Sequence, residues 1–435
     1  MLDIAYIRAN PEIVKQAAVN KRVVIDIDQL LEIDAQAQEL RKQVELHRTR
    51  QNQLSKDIQA AGPNKEAREA AIAGGKILAA ELKEMEPRLR ILETELRDLM
   101  LRVPNIPDES VPLGRDESEN VDFKHVGTPR SFNFTPLDHV ALMQGLDMLD
   151  IERGVRVAGS RSYILKGDAV RLELALVQFT LDTLGERGFT PLIVPALARE
   201  FAFIGNSQFP RGRDQVYALE HSEDADDPEL FLVGTAEVAI TGMFSGEILE
   251  EAQLPMLFAG LSPCYRKEAG TYGKDARGIM RVHQFTKVEQ YIISRNDHEE
   301  SVLWHEALLK NAESIVQALE LPYRIVLVCT GDLGDGQVKK YDIECWVPSE
   351  NTYRETHSDS YFHDYQARRA NIRYRDADRK VKFVHTLNNT ALASPRILIP
   401  LLENHQQADG SIHIPEALQP YMGGRTELRP APSRS

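Results

Sequence analysis

Hydrophobic residues in the first hundred positions recur in alternating steps of three and four. One series begins at Leu30 and the other ends at Val103, with a Gly-Pro-Asn break at residues 62–64 between them. A sustained 3.5-residue repeat on both sides of a turn signal is typical of two antiparallel helices in a coiled-coil hairpin. We therefore predict a helical arm over residues 1–103. Its seam positions are Leu30, Ile33, Ala37, Leu40, Val44, His47, Gln51, Leu54 and Ile58, then Leu78, Leu82, Met85, Leu89, Leu92, Leu96, Leu99 and Val103.

The first predicted helix of the arm also carries a group of basic side chains. Such a rod is too thin to enclose a pocket, so dimerisation or contact with a distant partner are its natural uses. The basic side chains fit either the solvated flanks of a coiled coil, which charge alone favours, or a contact surface for an RNA backbone. They are Arg41, Lys42, Arg48, Arg50 and Lys56.

After the arm, the composition changes twice. Residues 104–136 are rich in Pro, Gly, Ser and acidic residues, and we predict a linker. Residues 137–424 have the composition of a packed domain, and residues 425–435 resemble a flexible tail. Within the domain, Val170–Leu184 has helical periodicity and runs into an apolar segment, Phe189–Pro195. A strand closed by proline is typical of a sheet edge or a subunit contact.

The segment Cys264–Ile293 reads as a strand, a glycine-rich basic loop and a return strand. Glycine permits unusual turns and basic side chains pair with phosphate, so the loop suits an anion. Its marked residues are Gly270, Gly273, Lys274, Arg277, Gly278 and Arg281. Alternate residues of the return strand share a face, namely Arg281, His283, Phe285, Lys287 and Glu289. A ring between a guanidinium and a carboxylate would suit a nucleotide base and a small zwitterion; a solvated hairpin is the alternative.

Gly234–Glu237 follows a short apolar strand at a predicted helix start. Thr235 and Glu237 could face the ammonium group of a ligand there. The same residues also fit an ordinary helix N-cap with an acidic first turn, which the local pattern favours.

Two later segments carry candidate phosphate and metal contacts. Glu355 and Ser358 follow an alternating strand and offer the oxygen ligands that Mg²⁺ accepts together with phosphates. Residues 384–405 are predicted as a strand, an Asn388-Asn389 turn and a helix whose first turn holds Arg396. A cation at a helix start is locally unfavourable, so a nearby anionic ligand would explain it.

Composition narrows the class of protein. The 435 residues are 42% hydrophobic and 27% charged, which is ordinary for a globular chain. They contain no run of eighteen apolar residues, so we expect no membrane segment. A net charge of −14 argues against general nucleic-acid binding but permits a local basic patch. Three scattered cysteines and the lack of a secretory signal fit a reducing cytoplasm.

Five motifs in order, behind the predicted arm, resemble the seryl-tRNA synthetases, a class II aminoacyl-tRNA synthetase family. They are FTPLIVPAL, GTAE, YRKEAG with RVHQFTKVEQ, YRET with the following Ser358, and LNNTALASPR. The resemblance covers nearly the whole chain. It implies an α+β fold, in which a coiled-coil hairpin precedes a catalytic domain built on a mixed, mainly antiparallel sheet flanked by helices.

The resemblance also assigns roles to residues. It implies catalytic positions at Arg266 and Arg396, and metal positions at Glu355 and Ser358. The implied serine contacts are Thr235, Ala236, Glu237, Glu289 and Thr390. The implied ATP contacts are Arg266, Lys267, Glu268, Arg281, Val282, Phe285, Glu355, Thr356, His357, Ser358 and Arg396. Two short runs depart from the usual pattern, His357-Ser358-Asp359 and Asn388-Asn389-Thr390, although the expected oxygen atoms remain.

The implied reaction is activation of L-serine with ATP and Mg²⁺, followed by transfer of serine to tRNA(Ser). The family expectation adds tRNA(Sec), a cytoplasmic homodimer with Pro195 at its interface, and contact between the arm and the tRNA. Two other functions stay open at this point. One is an amino acid ligase that acts on a carrier protein, against which the intact heptads argue. The other is an inactive coiled-coil interaction protein, against which the retained charged residues argue.

Overall fold

The computed structural model describes residues 1–220, 229–269, 275 and 277–429. The chain divides into two compact units, Leu2–Pro104 and the part from Asn105 onwards, which also holds Met1. Gly270, Gly273 and Lys274 of the predicted basic loop lie outside the described residues, as do residues 430–435 of the predicted tail. No helix of the described segments is both long and apolar enough to cross a bilayer.

The elements follow the chain in this order. The helices are α1 (Ile4–Ala9), α2 (Pro11–Asn20), α3 (Ile27–Ala60), α4 (Lys65–Met100), α5 (His139–Gly145), α6 (Ile151–Ala158), α7 (Asp168–Gly185), α8 (Glu200–Gly205), α9 (Ala236–Met243), α10 (His298–Ala318), α11 (Tyr365–Ala370) and α12 (Leu398–His405). The strands are β1 (Val121–Val126), β2 (Leu149–Asp150), β3 (Ile164–Leu165), β4 (Thr190–Ile193), β5 (Leu197–Arg199), β6 (Leu230–Leu232), β7 (Ile248–Glu250), β8 (Met256–Tyr265), β9 (Gln284–Ser294), β10 (Tyr323–Leu327), β11 (Lys339–Val347), β12 (Thr352–Tyr361), β13 (Arg373–Arg375), β14 (Val381–Phe383), β15 (His385–Ser394), β16 (Ile412–His413) and β17 (Glu427–Leu428).

The first unit is the predicted helical hairpin. The Asp26 and Asn64 side chains cap α3 and α4 by accepting hydrogen bonds from backbone N–H groups of their first turns. Ion pairs join Arg41 to Glu93 and Arg48 to Glu86, each at 2.7 Å. A later residue on α3 meets an earlier one on α4, so the helices are antiparallel, as predicted. Their shared apolar cluster consists of Leu40, Val44, Leu82 and Leu89.

The second unit is built on one large sheet. Within the described residues its strand order is β1-β10-β11-β12-β15-β9-β8-β4. Neighbours pair antiparallel except β4 and β8, which are parallel, so the predicted mixed, mainly antiparallel sheet is confirmed. Leu172 of α7, Leu308 of α10 and Val288 of β9 belong to one buried cluster, which places the main core between these helices and the sheet.

Two domain boundaries need correction. The predicted linker, residues 104–136, contains β1, which pairs with β10 as an edge strand of the sheet. Asn105, at its start, is buried and donates to the Phe362 carbonyl oxygen at 2.8 Å. The predicted tail from residue 425 also begins too early, because Leu428 of β17 is buried and pairs with Ile412. Tertiary packing orders both segments despite their polar composition.

Two local predictions near the end of the chain were also wrong. Asn388 and Asn389 lie inside β15 and pair with β9 and β12, so no turn forms there. Strand pairing on both sides outweighs the preference of asparagine for turns. Helix α12 begins at Leu398, so Arg396 precedes the helix instead of lying in its first turn.

Candidate active site

A cleft of about 190 Å³ lies over the centre of the large sheet. Strands β9, β12 and β15 form its floor, and the start of α9 and the residues after β8 form its sides. Polar and charged side chains dominate its lining. These include Thr235, Glu237, Arg266, Glu268, Arg281, Lys287, Glu289, Glu355, Ser358, Asn388, Thr390 and Arg396, and the Phe285 ring lines the cleft beside them.

The alternation of β9 decides which of its residues reach the cleft. Phe285, Lys287 and Glu289 line it, whereas Val288 and Ile292 between and beyond them are buried in the main core. This confirms the predicted shared face for these three residues. Arg281 also lines the cleft, but it precedes β9 and its neighbour Val282 lines the cleft too, so strand alternation does not account for it. His283 does not join them, although the same parity predicted it. Its Nδ1 lies 2.9 Å from the Arg266 carbonyl oxygen.

Two glycines let the sides of the cleft approach closely. A Cβ at Gly260 would come within 2.8 Å of Ala236 and of Ile240, both on α9. A glycine on β8 therefore brings the start of α9 against the sheet. Gly234 accepts a hydrogen bond from the Arg266 guanidinium at 3.3 Å, and that guanidinium carbon lies 5.2 Å from the centre of the Phe285 ring. Arg266 is thus held between the α9 side and the aromatic ring.

Thr235 and Glu237, at the start of α9, belong to an N-cap arrangement and also line the cleft. Thr235 is the N-cap, since its hydroxyl accepts from the Glu237 backbone N–H at 3.2 Å, and it also lines the cleft. The same hydroxyl lies 3.5 Å from Glu289 Oε2. Glu237 is buried and accepts from Gln366 Nε2 at 2.5 Å. Burial, followed by the nearby charge of Glu289, raises the pKa of Glu237 to about 7.

The other end of the cleft is rich in arginine. Arg396 donates to the backbone carbonyl oxygens of Glu355 at 3.3 Å and Met280 at 3.4 Å, which fixes its guanidinium there. Arg281 pairs with Glu268 at 2.9 Å. Burial would raise the pKa of Glu355, but the positive charges of Arg396 and other cations outweigh it and lower that pKa. Such an end, with an ionised carboxylate among guanidinium groups, suits a polyphosphate and its metal ion.

Glu355 and Ser358 are the predicted metal ligands, and both line the cleft. The described residues contain no group of three or more His, Cys, Asp or Glu side chains arranged to hold a metal ion. A closed protein cage is thus absent from that part of the chain. An ionised carboxylate and a hydroxyl that open onto a basic cleft fit Mg²⁺, which usually takes one or two protein oxygens together with phosphate oxygens.

Most predicted site residues meet in this one cleft, but three do not line it. Ala236 is buried against the sheet, Lys267 lies near the Tyr217 ring, and His357 is buried beside Thr356. The cleft also contains residues that the site prediction omitted, among them Lys287 and Asn388. Each has the strand parity of a neighbouring predicted residue, so the period-two pattern could have found both. Gln208 and Gln337 also line the cleft and come from loops, where no pattern marks them.

The residues of the two runs that depart from the usual motifs are divided between the buried part of the sheet and the cleft. Asn389 is buried and accepts from Gln290 Nε2 at 2.7 Å. Asp359 is buried beside His305, with 3.2 Å between Oδ2 and Nε2. Burial raises the pKa of Asp359 and lowers that of His305 to about 3. Ser358, Asn388 and Thr390, in contrast, line the cleft, so each of the two runs contributes both to the cleft and to its buried support.

The predicted basic surface of the arm is divided. Arg41 and Arg48 form ion pairs within the hairpin. Lys42, Arg50 and Lys56 are exposed, and none of the three has an ion-pair partner among the residues described. Those three side chains are therefore the ones that can meet a phosphate without breaking an existing contact.

Comparisons with known proteins match both units. Residues 1–107 match the family model of the seryl-tRNA synthetase N-terminal domain, and residues 217–405 match that of the tRNA synthetase class II core domain (G, H, P, S and T). A serine–tRNA ligase of Deinococcus radiodurans is 51% identical over 98% of this chain and 99% of its own. The crystal structure of seryl-tRNA synthetase from Pyrococcus horikoshii complexed with ATP is 40% identical, with a TM-score of 0.89 over 99% of this chain and 100% of its own. That of the cytoplasmic serine–tRNA ligase from Naegleria fowleri in complex with AMP is 30% identical, with a TM-score of 0.84 over 97% and 96%.

Proposed function

The chain belongs to the seryl-tRNA synthetase family, and we propose that its cleft activates L-serine with ATP and charges tRNA(Ser). The observation that carries the proposal is the division of one cleft into two ends. Buried carboxylates and hydroxyls at the α9 end suit the ammonium and hydroxyl groups of serine. Guanidinium groups at the other end suit the phosphates of ATP.

In the first step, an oxygen of the serine carboxylate attacks the α-phosphorus of ATP. A bond forms between them, and the bond from the α-phosphorus to the oxygen that bridges to the β-phosphate breaks. Pyrophosphate leaves, and the product is seryl-adenylate. Arg266 lies between the two ends of the cleft, where it can hold the carboxylate and the α-phosphate together. Phe285 offers a face for the adenine ring, and Arg396 a charge for the leaving phosphates. No protein nucleophile is needed.

Glu355 and Ser358 would hold Mg²⁺ beside the phosphates. When bound, the ion would neutralise the charge of the polyphosphate and of the departing pyrophosphate. The low pKa of Glu355 keeps this ligand ionised at neutral pH.

In the second step, the 3′-terminal adenosine hydroxyl of the tRNA attacks the adenylate carbonyl, and AMP leaves as the seryl ester forms. The arm would bind the same tRNA through Lys42, Arg50 and Lys56. We propose tRNA(Sec) as a second substrate, tested by charging a tRNA(Sec) transcript. The carrier-protein ligase and the inactive interaction protein are not supported, since the relatives that match arm and body together are serine–tRNA ligases.

We also propose that the enzyme is a homodimer in the cytoplasm. Strand β4 ends the sheet, and the Ile193 side chain on it is 85% exposed. Pro195 follows on the same exposed segment. An edge strand with an exposed apolar residue is a surface that another chain can cover. Light scattering should give twice the chain mass, and Ile193→Asp should reduce it towards the mass of one chain.

The function is tested by ATP–pyrophosphate exchange over all twenty amino acids with purified protein. Serine should support exchange far better than any other amino acid. Alanine should be rejected strongly, because it leaves the hydroxyl partners unpaired. Equal exchange with several amino acids, or none with serine, would contradict the proposal.

A further inference from the structure

Lys287 is a buried cation in the serine end of the cleft that the reaction described above does not use. Its side chain is 7% exposed, and its Nζ forms an ion pair with Glu289 Oε2, whose side chain is 3% exposed. Lys287 lines the cleft between Phe285 and Glu289 on the same face of β9. A buried lysine is costly unless its charge is matched, so this pair needs a reason beyond packing.

The neighbouring strands make room for this lysine. Across the sheet, Lys287 pairs with Ser262 of β8 on one side and Ala393 of β15 on the other, and both are small. Glu289 pairs with Gly260 and Thr390 in the same two strands. Small residues beside the pair leave the Lys287 stem space to run along the sheet to Glu289.

We propose that Lys287 is a positioning residue that holds Glu289 in one orientation, and thereby sets the selectivity for the serine hydroxyl. This inference rests on the proposed function of the cleft. Oε2 of Glu289 is committed to Lys287 and lies 3.5 Å from the Thr235 hydroxyl. Oε1 has no hydrogen-bond partner among the described residues. Lys287 therefore leaves one defined acceptor of Glu289 for the substrate, next to Thr390.

The charges around Glu289 explain why a cation is needed. The carboxylates of Glu237 on α9 and Asp359 on β12 interact with it, as does the Cys264 thiol of β8. Burial and the charge of Glu289 already raise the pKa of Glu237 to about 7. Without Lys287, Glu289 would be a buried carboxylate that has lost its ion-pair partner, and its oxygen atoms would no longer be held in one orientation for the substrate.

The test is Lys287→Met, which keeps the length of the side chain and removes its charge. The KM for serine should rise roughly tenfold or more, and the preference for serine over alanine should fall at least about tenfold, while the KM for ATP stays within about twofold. Lys124→Met is the matched control, since Lys124 pairs with the buried Glu313 elsewhere on the sheet.

A rescue and a double variant separate positioning from packing. Lys287→Arg keeps the charge and should recover part of the serine preference. Lys287→Met combined with Glu289→Gln should be no worse than Glu289→Gln alone, because both changes remove one arrangement. The combined variant also removes both charges, so it should fold even if Lys287→Met alone does not. If Lys287→Met alone does not fold, the serine preference of the combined variant, compared with that of Glu289→Gln, tests the inference in its place.

Two results would overturn the inference. One is an unchanged ratio of serine to alanine exchange in Lys287→Met, and the other is full additivity of the two substitutions. Failure of the proposed function would look different, because the wild-type protein itself would then show no serine-dependent exchange.

Discussion

In the arm, each side chain proposed to bind tRNA lies exposed on a single helix, whereas in the body the cleft collects its residues from segments far apart in the chain. Lys42, Arg50 and Lys56 all belong to α3. The cleft, in contrast, unites residues from Gln208 to Arg396, and several of its charged groups are buried beside one another. The arm offers solvated charges, and the body offers desolvated ones.

The two kinds of charge should respond differently to change. Exposed cations interact with phosphate through screened electrostatics, so their contributions are small, nearly additive and sensitive to salt. Buried charges depend on their neighbours, as Glu237 and Glu289 do, so removing one changes the others. Each of the changes that follow affects either the buried charges of the cleft or the exposed charges of the arm, and the unchanged set serves as its control.

The largest effect is expected from Arg266→Ala. This substitution removes the guanidinium that can hold the serine carboxylate and the α-phosphate together, so ATP–pyrophosphate exchange should fall about 10³-fold or more. Binding of tRNA, measured by filter retention, should stay close to that of the wild type. Arg153→Ala is a suitable control, because the Arg153 side chain is 70% exposed and forms an ion pair with Asp150, outside the cleft. A mild exchange defect in Arg266→Ala would show that the cleft is not organised around this residue.

Deleting Leu30–Leu101 and closing the gap with a short glycine–serine linker is the reverse experiment. The ends to be joined belong to antiparallel helices, so they lie near each other. Serine-dependent exchange should persist, whereas charging of tRNA(Ser) should fall at least about a hundredfold, because the arm is proposed to bind the tRNA. Charging at the wild-type rate would show that the arm takes no part in tRNA recognition. Loss of exchange would show that the body depends on the arm.

The same contrast explains what could be predicted from sequence. The heptad repeat places every seam residue by counting, and the break at residues 62–64 marks the turn, so the hairpin was predicted correctly. In the body, the alternation of β9 correctly placed Phe285 and Glu289, because a strand has period two. The periodicity of the sequence no longer predicts the structure where pairing with another strand determines it. Asn388 and Asn389 resemble a turn, and only their pairing with β9 and β12 makes them part of β15.

Lys287 shows a second limit of the sequence. Its parity places it on the correct face, but nothing local indicates that its charge is buried or that Glu289 is its partner. Edge strands have the same limitation. β1 lies in a polar segment that resembles a linker, and its role depends on β10, about two hundred residues later.

A smaller effect should follow from neutralising the unpaired cations of the arm. Lys42→Gln, Arg50→Gln and Lys56→Gln together should raise the KM for tRNA on the order of tenfold and make binding less dependent on salt, since fewer counterions are released. The KM values for ATP and serine should not change. Arg41→Gln with Arg48→Gln is the contrasting pair, because these residues already pair with Glu93 and Glu86.

Comparison with this double substitution shows which basic side chains of the arm form the tRNA-binding surface. The double substitution should affect tRNA binding less than the triple substitution and lower the melting temperature of the arm slightly, as surface ion pairs contribute little. Equal tRNA defects in both variants would mean that the paired arginines release their glutamates to bind phosphate, and the proposed three-residue surface would then be too small.

The smallest effect concerns pH in the body. The pKa of Glu237 is raised to about 7, so its carboxyl gains a proton as the pH falls through neutrality. The protonated form attracts the serine ammonium less, and the KM for serine should therefore rise by roughly severalfold below pH 7. Above that pH it should level off. Exchange measured between pH 5.5 and 8.5 gives the profile.

Glu237→Gln tests whether this one group is responsible. The amide cannot be ionised, so the variant should have a high KM for serine that varies little across the same range, while the triple arm variant keeps the wild-type profile. The opposite outcome, an unchanged slope in Glu237→Gln, would assign the titration to another group of the cleft. A pH effect confined to serine, beside a salt effect confined to tRNA, would then separate buried from solvated charge within one chain.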